Sequence, residues 1–324
     1  MASVFPLQYV KQSEKMKSMI DAKGVYVIAP TPFHPDGRID DASIDRMTDF
    51  FLEAGVTGMT VLGQLGEAPK MEHAESVAIV RRVIARAGKL PIVVGVSAPG
   101  FAAMRALTQD VMALGAAGVM IAPPNTLRTD DSIVQYYRQA SEAIGGDVPF
   151  VIQDYPLTFS VQMTPGVIRR IHTECAASWF LKHEDWPGLE KISQLRAWEK
   201  DGSMRRLPIL VGNNGLFLDF ELERGADGAN TGYCFPDMLV DVVRLSKEGR
   251  RDEAHDLFDA HLPLIRYEQQ PGPGLAVRKY VMMRRGIIAS DTLRKPGAAL
   301  PAAARAEVDY LMSRVARVDP RARV

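Results

Sequence analysis

The sequence predicts an α/β fold, namely a (β/α)8 TIM barrel followed by a C-terminal α-helical extension. Short runs rich in β-branched and apolar residues alternate with longer segments of helical periodicity, which is typical of a parallel sheet covered by helices. Eight such runs occur within roughly 210 residues, and eight is the number that closes a (β/α)8 barrel. After Phe235-Pro236 the strand signals stop, and helical patterns alone continue towards the end of the chain.

The predicted strands are short and bounded by helical segments. They are Val25–Pro30, Met59–Gly63, Ile92–Val96, Gly118–Pro123, Phe150–Tyr155, Trp179–Glu184, Ile209–Asn214 and Gly228–Tyr233. Between them, apolar residues recur three and four positions apart, as on the buried face of a helix. Examples are Ile44, Met47, Phe51, Leu52 and Ala54 in one segment and Val77, Val80, Val83 and Ile84 in the next.

A doubly wound open sheet is the alternative to the barrel. That fold carries a glycine-rich dinucleotide fingerprint after its first strand. The sequence Ala29-Pro30-Thr31-Pro32-Phe33 stands there instead. The barrel is therefore the better prediction.

The C-terminal segment is predicted to form four helices. They are Met238–Lys247, Asp252–Ile265, Leu275–Arg285 and Ala302–Val315. Residues 269–274, with the sequence QQPGPG, are predicted to be a helix-breaking turn within this region. We accordingly divide the chain into residues 1–236, the barrel with an N-terminal extension, and residues 237–324, the helical region. Apolar positions such as Val277, Tyr280 and Val281 are expected to cover the barrel or a neighbouring subunit.

Composition excludes several classes of function. Hydrophobic residues make up 47% and charged residues 24%, and lysine plus arginine equals aspartate plus glutamate at 39 each. This balance gives no reason to expect nucleic acid as a partner, and no run of apolar residues is long enough to cross a membrane. Residues 1–20 lack an apolar core and a cleavage site, so we predict no secretory signal and a cytoplasmic protein. The two cysteines, Cys175 and Cys234, are too few for a disulfide framework or a metal cluster.

Lys182 lies within the predicted sixth strand, in Ser178-Trp179-Phe180-Leu181-Lys182-His183-Glu184-Asp185. Burial disfavours the charged form of an amine, which makes it available to attack a carbonyl group. Most lysines instead extend from the end of an element into water. Its position near the carboxyl end of a barrel strand, where catalytic groups of this fold lie, favours the nucleophile.

Residues two apart on a strand face the same side, so Phe180 and Glu184 are predicted to point into the barrel with Lys182. Glu184 would then lie about 6–7 Å from Lys182 along the strand. It could hold the Lys182 ammonium group or transfer protons. A buried ion pair without catalytic function is the alternative. On the fifth strand Gln153 and Tyr155 share a face. Tyr155 can donate and accept a proton, although packing alone also explains it.

The sequence Gly63-Gln64-Leu65-Gly66-Glu67 follows the second predicted strand. Two glycines around a turn allow successive backbone N–H groups to face one point, which forms a nest for a carboxylate. Gly63, Gln64, Leu65, Gly66 and Glu67 are therefore candidate substrate-binding residues, although many such pentapeptides are only turns.

After the seventh predicted strand, Gly212, Asn213 and Asn214 are candidates for contact with substrate hydroxyl groups. The two asparagines are equally explained as turn residues. Attack of a lysine amine on a carbonyl group needs no metal ion or nicotinamide cofactor. The six histidines also lack the spacing of metal ligands. Only His183-Glu184-Asp185 approaches a metal-binding pattern, which leaves a metal-dependent class II enzyme as an alternative.

The order of these motifs resembles the dihydrodipicolinate synthase / N-acetylneuraminate lyase family of class I aldolases. The resemblance rests on Thr31-Pro32-Phe33, Gly63-x-x-Gly66-Glu67, Asp154-Tyr155-Pro156 and Lys182, and it extends from about Lys23 to the C-terminal helices. It implies a barrel with a helical extension, a homo-oligomer, usually a tetramer, and a lysine that forms an imine with pyruvate or another 2-oxo acid. On that resemblance Lys182 is the Schiff-base lysine.

Four departures separate the chain from dihydrodipicolinate synthases. Those enzymes usually carry GTTGE, where this chain has Gln64 and Leu65, and YNxP, whose tyrosine position holds Gln153. Their tyrosine pair after the fourth strand is replaced by Pro124-Asn125, and their substrate-binding arginine falls near Thr158. We therefore expect poor activity with aspartate semialdehyde.

Other motifs resemble the branch of the family that contains 2-keto-3-deoxy-L-arabonate dehydratase. They are Gln153-Asp154-x-Pro156, Lys182-x-Glu184, Phe235-Pro236-Asp237, Leu262-Pro263-Leu264-Ile265 and Gly286-Ile287-Ile288-Ala289-Ser290. That branch has SE in place of Gly66-Glu67 and a small residue in place of Tyr155. The resemblance implies a lyase that dehydrates a 2-keto-3-deoxy sugar acid. A pyruvate-dependent aldolase or condensing enzyme and a non-catalytic oxo-acid-binding protein are the alternatives.

Overall fold

The computed structural model describes residues 21–324 and shows a closed barrel of eight parallel strands. The strands are β1 Gly24–Ile28, β2 Gly58–Val61, β3 Ile92–Gly95, β4 Gly118–Ile121, β5 Phe150–Asp154, β6 Ser178–His183, β7 Ile209–Val211 and β8 Gly228–Thr231. Each strand pairs with the next along the chain, and β8 pairs with β1. Residues 1–20, where we predict no secretory signal, lie outside the described residues.

A helix follows each strand. These helices are α1 Asp41–Glu53, α2 His73–Ala87, α3 Phe101–Ala113, α4 Asp130–Ile144, α5 Pro165–Glu174, α6 Leu189–Lys200, α7 Leu218–Glu223 and α8 Pro236–Lys247. Single helical turns occupy Gln64–Gly66, Ala68–Lys70, Pro156–Phe159 and Asn213–Gly215. The predicted (β/α)8 barrel is confirmed.

Local sequence explains where these helices begin and which face they bury. The Asp40 side chain accepts the Ser43 N–H at 3.0 Å and so satisfies a free donor at the start of α1. Ile44, Met47 and Phe51 of the predicted apolar face are buried. Leu52, which we also predicted on that face, is 39% exposed, because it lies one position beyond Phe51 and faces outward.

The barrel interior is apolar below the carboxyl ends of its strands. It is filled by Ala22, Tyr26, Val93, Met120, Val151, Trp179, Phe180 and Leu210. The pairing of β5 with β6 shifts register between Phe150 and Ile152, so that Trp179 and Phe180 both belong to this interior cluster. Beyond the shift, Lys182 is paired with Gln153 on one side and Leu210 on the other.

Most of the predicted strands extend past the observed ones at their carboxyl ends. The reason is visible where the backbone turns: Leu62 has φ 56°, Asn213 has φ 50° and Asn214 has φ 56°. Such left-handed conformations cannot continue a strand. Residues held this way cluster at functional sites in many proteins, and here they form the loops around the barrel mouth.

Three further helices complete the C-terminal extension: α9 Arg251–Glu268, α10 Gly274–Arg284 and α11 Ala302–Val315. The predicted turn at 269–274 lies between α9 and α10. Helix α8 packs on β1 and β8, which is the position of the eighth barrel helix. The division at residue 236 stays a prediction, and this packing favours a boundary one helix later. None of the helices within residues 21–324 is both long and apolar enough to cross a membrane.

Candidate active site

A cavity of about 540 Å³ opens at the carboxyl ends of the strands. Barrel residues form one part of its wall: Ile28, Gly63, Gln64, Leu65, Gln153, Tyr155, Leu157, Thr158, Lys182, Glu184, Trp186, Asn213, Asn214, Thr231 and Gly232. The C-terminal extension forms the other part, through Glu268, Gln269, Gln270, Pro271, Gly272, Gly274, Leu275 and Arg278. The structure thus brings together nine of the candidate residues that the sequence singled out, and adds a wall from α9 and α10.

Lys182 reaches this cavity from β6 and is 5% exposed. Its Nζ lies 2.8 Å from Oε1 of Glu184, its one ion-pair partner among residues 21–324. Phe180 belongs to the barrel interior and both Lys182 and Glu184 line the cavity, so all three share the predicted side. The amine itself meets a carboxylate rather than apolar neighbours.

Glu184 is the centre of a small hydrogen-bond network. Its Oε1 accepts from Gln153 Nε2 at 2.8 Å, and its Oε2 accepts the Asn213 N–H at 3.4 Å. Gly212 makes room for this carboxylate, because a side-chain carbon at 212 would overlap it. Gly212, which we expected to contact substrate, is absent from the cavity wall and instead fixes where Glu184 lies.

Tyr155 follows β5 directly and begins the helical turn Pro156–Phe159. Burial raises the pKa of its hydroxyl, and the Glu184 carboxylate raises that pKa further. The phenol therefore stays protonated at neutral pH and is available as a hydrogen-bond donor. Its same-face partner Gln153 holds Glu184 instead of donating a proton.

The turn at Gly63–Glu67 provides a smaller nest than the sequence suggested. The N–H of Gly66 donates to the Gly63 carbonyl at 3.0 Å, and the N–H of Glu67 donates to the Gln64 carbonyl at 3.0 Å. The N–H groups of Gln64 and Leu65, at the start of the helical turn, donate to no acceptor within residues 21–324. These two groups line the cavity and are available to a carboxylate.

Gly66 and Glu67 are not part of the cavity wall. The Gly66 carbonyl accepts from Thr31 Oγ1 at 2.7 Å, and the Glu67 carboxylate lies 2.6 Å from Lys279 Nζ and 2.7 Å from Lys70 Nζ. We expected both residues to bind substrate. Instead, the Gly66 carbonyl and the Glu67 carboxylate connect the turn to Thr31, Lys70 and Lys279.

Asn213 and Asn214 adopt the left-handed conformation of turn residues, which is one of the two roles that the sequence allowed for them. Asn213 Nδ2 donates to the Glu184 carbonyl at 2.8 Å, and its Oδ1 accepts from Gln269 at 3.3 Å. The Oδ1 of Asn214 accepts from Arg278 at 2.5 Å. Both residues also line the cavity, so the turn role does not exclude contact with a ligand.

Sequence reasoning missed Arg278, Glu268 and the cavity role of loop 269–274. Arg278 is 2% exposed and Glu268 is 1% exposed. A signal was present in α10, where Arg278 and Lys279 interrupt the apolar sequence from Leu275 to Val281. Two adjacent cations inside an otherwise apolar helix indicate buried charge with partners, which is a feature of functional and structural networks alike.

The His183-Glu184-Asp185 pattern does not form a metal site. His183 Nε2 approaches the Gly188 carbonyl at 3.2 Å, Glu184 pairs with Lys182, and Asp185 pairs with Lys191 at 2.6 Å. Successive residues of a strand alternate sides, so these three side chains diverge. Within residues 21–324, no three histidine, cysteine, aspartate or glutamate side chains are arranged to hold a metal ion.

Comparison with characterised proteins gives two kinds of relative at the same level of identity. The chain is 30% identical over 303 residues to L-2-keto-3-deoxyarabonate dehydratase of Azospirillum brasilense, which covers 92% of this chain and 95% of that protein. It is also 30% identical over 295 residues to a 4-hydroxy-tetrahydrodipicolinate synthase of Chlorobium luteolum, covering 89% and 95%.

Among solved structures, a crystal structure described as dihydrodipicolinate synthase from Rhodopseudomonas palustris is 66% identical, with a TM-score of 0.90 and coverage of 91% of this chain and 98% of that one. A structure from Pseudomonas aeruginosa described as a putative dihydrodipicolinate synthetase is 25% identical, with a TM-score of 0.81 and coverage of 91% and 99%. The family model for dihydrodipicolinate synthetases matches residues 21–315. The chain therefore belongs to the dihydrodipicolinate synthetase family.

Proposed function

We propose that the protein is a lyase that forms a Schiff base between Lys182 and a 2-oxo acid, and that it dehydrates a 2-keto-3-deoxy sugar acid. Family members are lyases, a class that includes both dehydratases and synthases. The observation that carries the proposal is a buried lysine at the carboxyl end of a barrel strand, facing a cavity and paired 2.8 Å from a carboxylate. A nucleophile with a proton acceptor within hydrogen-bond reach is the arrangement that imine formation needs.

The residues divide the first step between them. Glu184 takes a proton from the Lys182 ammonium group, and the free amine attacks the C2 carbonyl carbon of the substrate. A second amine proton and the proton held by Glu184 pass to the former carbonyl oxygen, which leaves as water as the iminium forms and Glu184 becomes a carboxylate again. The unfilled N–H groups of Gln64 and Leu65 hold the substrate carboxylate. These donors are backbone groups in a fixed turn, so they bind the anion without reorganising.

The second step follows from the imine. The iminium acidifies the C3 hydrogens, and Glu184 is the group placed to remove one of them. The resulting enamine expels the hydroxyl group at C4, which takes a proton from Tyr155 and departs as water. Tyr155 is assigned the acid role because it lines the cavity and carries its proton at neutral pH. Glu184 returns its proton to the Tyr155 phenolate. Loss of a C5 hydrogen as a proton and protonation at C3 then convert the unsaturated imine into an enol, which tautomerises to the aldehyde. Hydrolysis of the imine releases the semialdehyde and restores Lys182.

The departures from the synthases support dehydration over condensation. Gln153 stands where those enzymes carry a tyrosine, and here it binds Glu184 at 2.8 Å. Gln64 and Leu65 stand in place of the two threonines of GTTGE. They offer backbone N–H groups but no side-chain hydroxyl group that could pass a proton. The dehydratase from Azospirillum brasilense is a relative over nearly the full length of both chains.

An aldolase is the second candidate, because the same imine can break its C3–C4 bond to give pyruvate and an aldehyde. The relatives from Chlorobium luteolum and Rhodopseudomonas palustris are described as synthases, which keeps carbon–carbon chemistry as a candidate. A non-catalytic oxo-acid-binding protein is the third. A homo-oligomeric state, tetramer or dimer, and a cytoplasmic location stay predictions of the sequence.

Borohydride reduction in the presence of pyruvate tests the Schiff base. We expect a covalent pyruvate adduct on the peptide that contains Lys182, detected by mass spectrometry, and none in the Lys182→Met variant. Absence of the adduct in the wild-type protein overturns the proposal. Loss of turnover on treatment with EDTA, without any adduct, supports a metal-dependent enzyme instead.

A second measurement chooses between the reactions. The protein is incubated with 2-keto-3-deoxy-pentonate, and the products are separated. A semialdehyde product supports dehydration, whereas free pyruvate together with an aldehyde supports the aldolase. Adduct formation without turnover of sugar acids supports the binding protein.

A further inference from the structure

Arg278 is the second buried cation in the wall of the cavity, and it enters from α10 rather than from the barrel. Its Nε donates to Glu268 Oε1 at 2.7 Å, and its Nη2 donates to the Gly232 carbonyl at 2.6 Å and to Asn214 at 2.5 Å. Its Nη1 is buried and has no hydrogen-bond partner within residues 21–324. One arm of the guanidinium group is therefore unfilled.

The sequence at the end of β8 holds the guanidinium group in this position. A side-chain carbon at Gly232 would overlap Nη1, so only glycine admits the arginine there. Asn214 adopts the left-handed conformation that presents its Oδ1 to Nη2. Three separate elements thus fix a single orientation for a side chain that is flexible when unbound.

The charge on Arg278 is already neutralised. Glu268 pairs with it at 2.5 Å and is itself buried. A second carboxylate brought to Nη1 would face the Glu268 anion in a site of low polarity, where like charges repel strongly. A hydroxyl oxygen, which accepts a hydrogen bond without adding charge, is the better complement. The amides of Gln269 and Gln270, also in this wall, are neutral as well.

Arg278 also lies within electrostatic range of the reacting groups. Burial raises the pKa of Tyr155, the Glu184 carboxylate raises it further, and the Arg278 guanidinium opposes them. The Tyr155 phenol is thus close enough to both Glu184 and Arg278 to be influenced by their charges. Lys182, Tyr155 and Arg278 all line the same cavity, so one bound substrate can contact all three.

The cavity has room for a substrate longer than pyruvate. At roughly 30 Å³ for each water-sized group, the six non-hydrogen atoms of pyruvate fill about a third of the 540 Å³ available. The remaining volume borders the wall contributed by α9, α10 and the loop between them. Room for further carbons therefore exists on the Arg278 side.

We propose that Arg278 determines specificity by donating a hydrogen bond from Nη1 to a hydroxyl group at the end of the substrate remote from Lys182. The substrate class is accordingly a 2-oxo acid with an uncharged, hydroxylated chain, and a second terminal carboxylate is disfavoured. This inference rests on the proposed Schiff-base function and adds the identity of the distal group. Arg278 touches substrate in this proposal and takes no proton.

The test compares three 2-oxo acids as competitors of pyruvate in borohydride trapping. They are 2-oxo-4,5-dihydroxypentanoate, 2-oxo-4-hydroxypentanoate, which lacks the terminal hydroxyl group, and 2-oxo-4-hydroxypentanedioate, which carries a terminal carboxylate. In the wild-type protein we expect the dihydroxy acid to halve pyruvate trapping at a concentration roughly 10- to 100-fold lower than the other two, the range for a hydrogen bond from a charged donor. Equal potency, or preference for the diacid, overturns the inference.

The matched variant is Arg278→Met combined with Glu268→Gln, which removes both charges together and leaves no lone buried ion. We expect it to keep the pyruvate adduct and to lose the preference for the terminal hydroxyl group. An unchanged preference overturns the role of Arg278. If this variant fails to fold, Arg278→Lys keeps the charge beside Glu268 and loses the planar fork, and it is expected to reduce the preference in the same direction.

The pyruvate adduct separates the two levels of failure. Its absence in the wild-type protein overturns the Schiff-base function and this inference with it. Its presence, together with no discrimination among the three competitors, overturns the inference about Arg278 alone.

Discussion

Lys182 and Lys279 are both buried beside a glutamate, yet their ammonium groups have different surroundings. Lys182 Nζ lies 2.8 Å from Glu184 and faces the cavity. Lys279 Nζ donates to Glu67 at 2.6 Å and to the carbonyls of Thr31 and Thr292 at 2.7 and 2.9 Å. Its three N–H groups are therefore all bonded, and it also lies 4.5 Å from the centre of the Phe33 ring.

The comparison shows that burial alone does not mark a reactive lysine. Lys279 is the more deeply buried of the two, at 0% exposure against 5% for Lys182. Burial lowers the pKa of Lys279 to about 8, although Glu67 opposes that shift. Its amine nevertheless has no space before it for a carbonyl carbon. Lys182 has fewer fixed partners and an adjacent cavity, and these two properties support the nucleophilic role that we propose for it.

Substitution of Lys182 gives the largest expected effect. Lys182→Met removes the only group proposed to form the imine, and turnover of a 2-keto-3-deoxy acid should fall by at least about 10⁴-fold. Steady-state kinetics measure the loss, and circular dichroism checks that the fold persists. The contrast between the two lysines fails if this variant still forms a pyruvate adduct.

Lys279→Met tests the other half of the contrast. Removing one partner of a buried pair leaves Glu67 with Lys70 and the Arg294 N–H, and it leaves two carbonyls without a donor. The free energy of unfolding should therefore fall by about 3 kcal/mol. Urea denaturation measures this change. Lys70→Met, at a side chain 22% exposed, is the matched control and should cost less than about 1 kcal/mol. A Lys279→Met protein that is stable but unable to form the adduct would falsify the structural role of Lys279.

The same lysine predicts a dependence of stability on pH. The pKa of Lys279 is about 8 in the fold and near its ordinary value of 10.5 in the unfolded chain. Between these values the unfolded chain binds the proton more tightly, so stability rises with pH across this window, by roughly 3 kcal/mol in total. The wild-type protein should show this rise relative to Lys279→Met in denaturation curves at pH 8, 9 and 10. Parallel curves for the two proteins contradict it.

Gly212→Ala tests how closely the Lys182 region is fitted. The new methyl group overlaps the Glu184 carboxylate and displaces the proton acceptor from Lys182. We expect a fall in kcat of roughly 10- to 100-fold, with the adduct still formed but more slowly. Gly146→Ala is the control, since no atom lies within 4 Å of the added carbon there. Equal kinetics for the two variants would show that the position of Glu184 is not critical.

The sequence was sufficient for the barrel and for the side of the strand that Lys182 and Glu184 share. The alternation of eight strand and helix patterns indicates a parallel barrel almost by itself. That Lys182 and Glu184 point to the same side follows from the two-residue period of a strand. Both signals are local, so they are readable without knowledge of distant contacts. The prediction that Lys182 and Glu184 share a side depended only on this alternation.

Long-range pairing explains what the sequence did not reveal. Glu67 looked like a ligand residue beside Gly66, but its partner Lys279 is 212 positions away. Arg278 reaches the cavity only because Gly232 and Asn214 leave space and an acceptor for it, and these residues come from β8 and the loop after β7. No local pattern encodes such a meeting of distant segments. The adjacent cations at 278 and 279 signalled buried charge without telling which of them faces the cavity.

The cavity wall is drawn from two stretches of chain that are far apart in the sequence, the strand ends up to residue 232 and the segment from Glu268 to Arg278. Under our proposals the bond-forming lysine belongs to the first stretch and the residue that selects the substrate belongs to the second. Imine formation and substrate selection can then change independently in evolution. Mutation or recombination confined to the codons for 268–278 would give descendants with new substrates and unaltered chemistry, which is a simple route by which one ancestral barrel gives rise to enzymes of different pathways.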